Sequence, residues 1–124
     1  MNVEYLAQFH QRLTVTTTLV VICSLLLHAY SWWRKKPAGI AHIAVTRIIV
    51  LLLVSNGCIG GFVAMHRPHI SLLHIIYAVV VFLPFIGFRI LSRYTAPTMY
   101  AKHMVVALIL ILVVVHRLTV TASH

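Results

Sequence analysis

Acidic residues are almost absent from this chain. Asp and Glu together number one, Glu4, against ten Lys and Arg. Proton and cation carriers in membranes usually depend on an intramembrane carboxylate, so we do not expect a transporter of that kind. The sequence also lacks a Ser/His/Asp triad, an HExxH motif and a phosphate loop. An enzymatic activity of the chain on its own is therefore not predicted.

Cysteine is also scarce. The two cysteines, Cys23 and Cys58, lie in apolar runs and have no CxxC spacing. We predict that both are buried free thiols that pack as small hydrophobic side chains. The opening MNVEYLAQFHQR is polar and mixed, so no cleavable signal peptide is expected.

Long apolar runs dominate the rest of the chain, which is 61% hydrophobic with a mean hydropathy of +1.00. Four runs exceed the ~20 residues that a membrane-crossing helix needs, and the predicted spans are 13–33, 39–65, 70–92 and 100–120. Short breaks carrying Pro37, Pro68 and Pro97 should make successive helices antiparallel neighbours. The sequence therefore predicts a single-domain, all-α integral membrane protein, a four-helix up-down bundle in contact with the lipid bilayer.

Basic residues are distributed unevenly between the two sides of these spans. One side has six of them: Arg34, Lys35, Lys36, Arg89, Arg93 and Lys102. The other side has Arg12, Arg67 and Arg117. By the positive-inside rule we expect the first side to be cytoplasmic and both termini to be outside, in a bacterial-type plasma (inner) membrane. Topology accounts for these charges, so nucleic-acid binding is not expected.

Histidine is abundant, with nine copies. The predicted spans sort five of them into an inner layer (His28, His42 and His103) and an outer layer (His74 and His116). His10 and His124 fall in the tails. Two facing imidazoles can hold a haem iron, so the layers permit one or two haem b groups. The inner one would use His103 with His42 or His28, and the outer one His116 with His74. The alternative is that these histidines occupy the headgroup region without a cofactor.

The spacing of the two histidines in the fourth span limits this prediction. His103 and His116 are thirteen residues apart, which places them about 140° apart around a helix. If both are ligands, they should face different neighbouring helices.

The second span carries a charge and a glycine motif. Arg47 lies about 12 Å of helix rise from Gly39, where it could balance a haem propionate, a lipid phosphate or an acid on another subunit. The alternative is that its side chain extends to the interface. Gly57 and Gly61 form a GxxxG motif, which favours close helix packing or the approach of a haem edge.

Pro84 lies in the middle of the third span and should kink it. Phe82, Phe85 and Phe88 surround the kink. They could line a quinone or porphyrin pocket, or could simply pack in the core or against lipid.

Several segments resemble the YisL-type small bacterial membrane proteins. These segments are LTVTTTLVV from Leu13, HAYSWW from His28, and KKPAGIAHIAVTRIIVLLLVSNG from Lys35, with a looser likeness in the span that ends at His116. The resemblance implies a four-span layout and assigns no activity.

The predicted function is a small membrane subunit that holds haem b for transmembrane electron transfer, with quinone as a possible redox partner. The first alternative is a cofactor-free accessory subunit that packs against other membrane subunits. A second alternative is a chlorophyll-type pigment held by the same histidines.

Overall fold

The computed structural model describes residues 2–36, 39–67, 69–94 and 99–122. Within these ranges the regular structure consists of five α-helices: α1 (Val3–Trp33), α2 (Ile40–His66), α3 (Leu72–Val80), α4 (Leu83–Ser92) and α5 (Tyr100–Ala122). Helices α3 and α4 together form the third span. Four stretches are long and apolar enough to cross a membrane, namely α1, α2, the third span and α5. The prediction of an all-α chain with four such helices is confirmed. Pro37, Pro68, Pro97 and His124 lie outside the described residues.

Helix α1 begins ten residues before the predicted span, at Val3 rather than at Leu13. The Asn2 side-chain oxygen accepts a hydrogen bond from the Glu4 backbone N–H at 3.1 Å and so caps the helix. The Glu4 carboxylate in the first turn also complements the positive end of the helix dipole. As a result His10, which was predicted to lie in a tail, is a helical residue.

The other end of α1 is closed by a Schellman motif. The Lys36 N–H donates to the Ser31 carbonyl at 3.0 Å, and the Lys35 N–H donates to the Trp32 carbonyl at 3.1 Å. Lys35 has a φ of 53°, in the left-handed region that this motif requires and that glycine normally occupies.

The kink predicted at Pro84 is confirmed as a break between two helices. Helix α3 ends at Val80, four residues before the proline, and α4 begins at Leu83. Proline has no N–H to donate to that carbonyl, and its ring clashes with it. Pro84 instead occupies the first turn of α4, where a missing N–H costs nothing.

Helices α1 and α5 are central in the packing. Helix α1 packs against α2 and α5, and both halves of the third span pack against α5, whereas α2 and the third span have few backbone contacts. The arrangement is thus more open between α2 and the third span than a regular up-down bundle. The shared core consists of Val21, Ile49, Leu53, Val81, Met104, Leu108, Ile111 and Val115.

The surface is apolar and the buried stripe of α1 is largely polar. Large apolar side chains such as Leu19, Leu51 and Val79 are exposed, and apolar exposure on this scale is typical of surfaces that contact lipid. The buried residues of α1 recur every three or four positions: Thr17, Val21, Ser24, His28 and Ser31. Cys23 falls off that stripe. Both Cys23 and Cys58 are exposed, so the prediction of buried thiols is wrong.

Candidate functional site: the histidine clusters and the outer face of α2

Two of the predicted inner-layer histidines lie side by side. His28 of α1 and His42 of α2 are buried, and their ring centroids are 4.8 Å apart in an edge-to-face arrangement. We call the end of the helices that holds this pair the basic end, because Arg34, Lys35 and Lys36 follow α1 there. The prediction that His28 and His42 share one depth agrees with this geometry.

Both ring nitrogens of His42 are occupied by hydrogen bonds. The Gly39 N–H donates to His42 Nδ1 at 3.1 Å, in the manner of a capping box. Nδ1 is therefore unprotonated, and the neutral ring carries its proton on Nε2, which donates to the Ser31 hydroxyl oxygen on α1. His42 thus fixes the start of α2 and ties α2 to α1. It has no free lone pair for a metal in this arrangement.

His28 has one nitrogen fixed and one without a partner. Its Nδ1–H donates to the Ser24 carbonyl at 2.7 Å, which leaves Nε2 with a bare lone pair. In the part of the chain that the structure describes, this Nε2 is buried and has no hydrogen-bond partner. Histidines that bind metals commonly donate their other N–H to a backbone carbonyl in this way. His28 is therefore better disposed than His42 to act as a ligand.

His103, the predicted iron partner of His42, faces α4. It lines a cavity of about 460 Å³ between α4 and α5, together with Pro84, Gly87 and Phe88. The aromatic contact of α5 with the His28 pair comes from Tyr100, whose ring is 6.3 Å from that of His28 and 4.9 Å from that of Phe88. All three kink aromatics, Phe82, Phe85 and Phe88, pack against the core, and Phe88 also lines the cavity.

The two predicted outer-layer histidines have different environments. His74 is half-buried, and its Nδ1–H donates to the Leu118 carbonyl of α5 at 3.1 Å, which ties the third span to α5. His116 is exposed on α5. As the thirteen-residue spacing predicted, His103 and His116 face different surroundings.

The histidine that approaches His74 is His10, which the sequence interpretation placed in a tail. His10 is half-buried on α1 and interacts with His74 and with the Asn56 side chain of α2. Its ring lies against Gly60, where an added Cβ would be 2.7 Å from the His10 Cε1. The sequence interpretation did not predict that α1 begins at Val3. The capping residue Asn2 was the sequence signal that could have shown His10 to be helical.

Asn56 also joins α2 to α1. Its side-chain N–H donates to the Thr14 hydroxyl oxygen at 2.9 Å. The hydrogen bond of Asn56 is thus made to a neighbouring helix. At this end, as at the basic end, polar side chains connect the helices.

The remaining candidates lie together on the outer face of α2, which we define by Arg47, Val54, Gly57 and Gly61. All four residues are exposed, and at 100° per residue they fall within about 80° of one another. A Cβ added at Gly57 or at Gly61 would meet nothing within 4 Å. The GxxxG motif is therefore not used for packing among the described ranges of the chain, whereas Gly60 admits a close neighbour.

Arg47 has no hydrogen bond or ion pair with any residue that the structure describes. The single acidic residue of the chain, Glu4, lies in the first turn of α1, at the end opposite the basic end. About 30 Å of helix separates the two levels. Arg47 and Glu4 therefore cannot form an ion pair within the chain.

The contacts of the histidines restrict where a haem could bind. In the described ranges, no three His, Cys, Asp or Glu side chains come together as a metal site. A haem on His28 and His42 would require the rings to separate and His42 to release either Gly39 or Ser31. His28 keeps the orientation of a ligand, and the Nε2 of His103, its predicted alternative partner for the inner haem, is likewise buried without a hydrogen-bond partner among the described residues.

Comparison with known proteins gives no match to this chain among protein families, curated proteins or solved structures.

Proposed function

We propose that this chain is a small polytopic accessory subunit that packs against other subunits of a larger membrane complex through the outer face of α2. The observation that carries the proposal is the open GxxxG motif. Gly57 and Gly61 have nothing in front of them, and such motifs in membrane helices let another helix approach closely. This face is therefore available to pack against a helix of another subunit.

The hydrogen bonds of the polar residues support the same proposal. His42 with Ser31, Asn56 with Thr14, and His74 with Leu118 each join two helices. These bonds join α2 to α1 and the third span to α5. Polar side chains of the chain thus serve contacts between its own helices.

A glycine substitution series tests the proposal. The full chain carries an affinity tag and is extracted from its native membrane in mild detergent. We expect the wild type to co-purify with other subunits at fixed stoichiometry. The double substitution Gly57→Leu with Gly61→Leu should abolish this association, because the leucines block close approach.

Gly87→Leu provides the matched control. Gly87 also has nothing within 4 Å of an added Cβ, but it lies on α4, so this variant should retain the partners. A wild-type chain that purifies as a monomer or a simple homodimer would contradict the proposal.

A second candidate function, haem-linked electron transfer with haem b, is supported by one feature. The Nε2 of His28 is buried without a partner while its Nδ1 is held by Ser24. A reduced-minus-oxidised visible spectrum, recorded after growth with haem supplied, tests this candidate. A Soret band lost in His28→Ala and kept in His116→Ala would support it. A well-folded sample without a Soret band refutes haem-linked electron transfer. The same result refutes a quinone-linked role, because that role requires the haem.

We also propose a cellular location and an orientation for the chain. Six basic residues at one end favour a bacterial-type plasma membrane with that end in the cytoplasm and both termini outside. Membership of the YisL-type family rests on the resemblance of the first two spans.

A further inference from the structure

Arg47 lies near the basic end of α2. It lies seven residues after Ile40, or about 10 Å along the axis. Helix α2 has 27 residues, about 40 Å of rise against a hydrocarbon core of about 30 Å. If α2 extends equally beyond both sides of that core, about 5 Å on each side, the Arg47 backbone lies about 5 Å inside the hydrocarbon at the basic end. A charge at that depth is costly unless an anion lies within reach.

The counter-charge comes from outside the chain. Arg47 is exposed and has no partner among the described residues. The only carboxylate of the sequence, Glu4, is at the opposite end of α1.

A second copy of this chain does not supply the missing charge. Copies inserted in the same orientation place their outer faces of α2 at equal depth. A symmetric dimer through this face would set Arg47 against Arg47, and like charges in close contact repel. The occupant must be a different molecule.

Arg47 and the two open glycines lie on the same face. Extension of the Arg47 side chain to a lipid phosphate would account for the charge, but it leaves Gly57 and Gly61 without a function. A neighbouring helix accounts for both features, since it packs against the glycines and can carry an acid at the level of Arg47. Because the hydrocarbon strengthens such a pair relative to water, the acid would also fix the register of the two helices.

We infer that the partner of this face is a transmembrane helix of another subunit that carries an Asp or Glu at the level of Arg47 and small residues at the level of Gly57 and Gly61. This inference rests on the proposed function and adds the chemistry of the partner.

Synthetic helices test the inference directly. The full chain, purified in phosphate-free mixed micelles, carries a fluorescent donor. Three labelled Leu/Ala helices carry a GxxxG motif and, about 10 Å from one end, Asp, Asn or Leu. We expect energy transfer to show that the Asp helix binds about tenfold more tightly than the other two, which corresponds to one intramembrane charge pair.

Variants of the chain assign the effect to Arg47. Arg47→Gln should remove the preference for the Asp helix, while Arg47→Lys should keep part of it. Arg12→Gln is the matched control, because it removes an exposed arginine at the opposite end, and it should keep the full preference. Arg47 has no partner among the residues that the structure describes, so Arg47→Gln should have the helical circular dichroism of the wild type.

Three results would overturn the inference. Equal binding of the Asp, Asn and Leu helices shows that no carboxylate is recognised. Loss of the preference when phosphatidylglycerol is added shows that a lipid phosphate is the counter-charge. Self-association of the chain that Gly57→Leu abolishes identifies a second copy as the occupant.

The failures of the two proposals are distinguishable. If all three helices bind equally but Gly57→Leu with Gly61→Leu abolishes binding, the docking face stands and the inference about Arg47 fails. If the leucine pair has no effect on any helix, the docking face itself fails.

Discussion

Gly60 has no Cβ, and this allows the close contact between α1 and α2 at the end opposite the basic end. The His10 ring occupies the space in front of Gly60, and from there it reaches Asn56 and His74. Gly57, one turn earlier, has open space in front of it. Two neighbouring glycines on one helix thus have different roles, one inside the protein and one facing outwards.

Gly60→Ala should displace the His10 ring, because the new Cβ would lie 2.7 Å from Cε1. We expect an unfolding free energy about 1 kcal/mol or more below that of Gly57→Ala, since overpacking costs roughly 1–3 kcal/mol and the better helix propensity of alanine is common to both variants. Unfolding in mixed micelles with increasing denaturing detergent measures the difference.

Gly57→Ala is the control because nothing lies within 4 Å of its added Cβ. The cost of Gly60→Ala should also largely disappear in a His10→Ala background, since the clash then has no second atom. Equal stability of the two alanine variants in the wild-type background would contradict this account of His10.

The sequence predicts the depth of the histidines better than their direction. His28 and His42 were assigned to one layer, and they are in contact. His103 has a similar depth but lines the cavity beside α4. Because α5 is apolar all round, no periodicity in its sequence shows which side faces which helix. The direction follows from tertiary packing, which one sequence does not encode locally.

At the scale of elements, the end of α1 is strained. Lys35 adopts a φ of 53° to close the Schellman motif. A side chain with a Cβ pays roughly 1 kcal/mol or more for this region, whereas glycine does not.

Lys35→Gly should therefore stabilise the protein by about 0.5–1 kcal/mol, less the added backbone entropy of glycine in the unfolded chain. The midpoint of detergent-induced unfolding should rise. Lys36→Gly is the control, because no positive φ is recorded there, and it should be neutral or destabilising. A lower midpoint for Lys35→Gly than for Lys36→Gly would contradict the strain argument.

The helix bounds were predictable where hydropathy or proline sets them. Helix α2 and α5 match their predicted spans to within two residues, and the break before Pro84 follows from the chemistry of the ring. The start of α1 was not predictable from hydropathy, because a cap at Asn2 extends the helix through polar residues. The open side between α2 and the third span is a property of packing and leaves no local signal.

At the scale of the whole molecule, part of the interior is polar and much of the exposed surface is apolar. Thr17, Ser24, His28 and Ser31 are buried along α1 while large apolar side chains are exposed. A membrane protein places polar side chains in its interior because lipid cannot satisfy their hydrogen bonds. The same distribution would be unstable in water.

The predicted orientation gives a whole-molecule test. In a background with Cys23 and Cys58 replaced by Ser, Lys36→Cys and His69→Cys each provide one exposed thiol, at opposite ends of the helices. We expect a membrane-impermeant maleimide to label the cysteine at 69 on intact cells and the cysteine at 36 only after lysis. The positive-inside rule is the physical reason. The reverse labelling pattern would contradict the orientation.

The unequal lengths of the helices have a consequence for the surrounding lipid. Helix α2 has 27 residues, about 40 Å, whereas the third span, Leu72–Leu91, has 20, about 30 Å. The two lie on different sides of the α1–α5 pair. Either α2 tilts or its two ends extend about 5 Å beyond a hydrocarbon core of about 30 Å, while the third span matches that core. The face that carries Arg47 thus belongs to a helix that must adapt to the bilayer, whereas the third span need not.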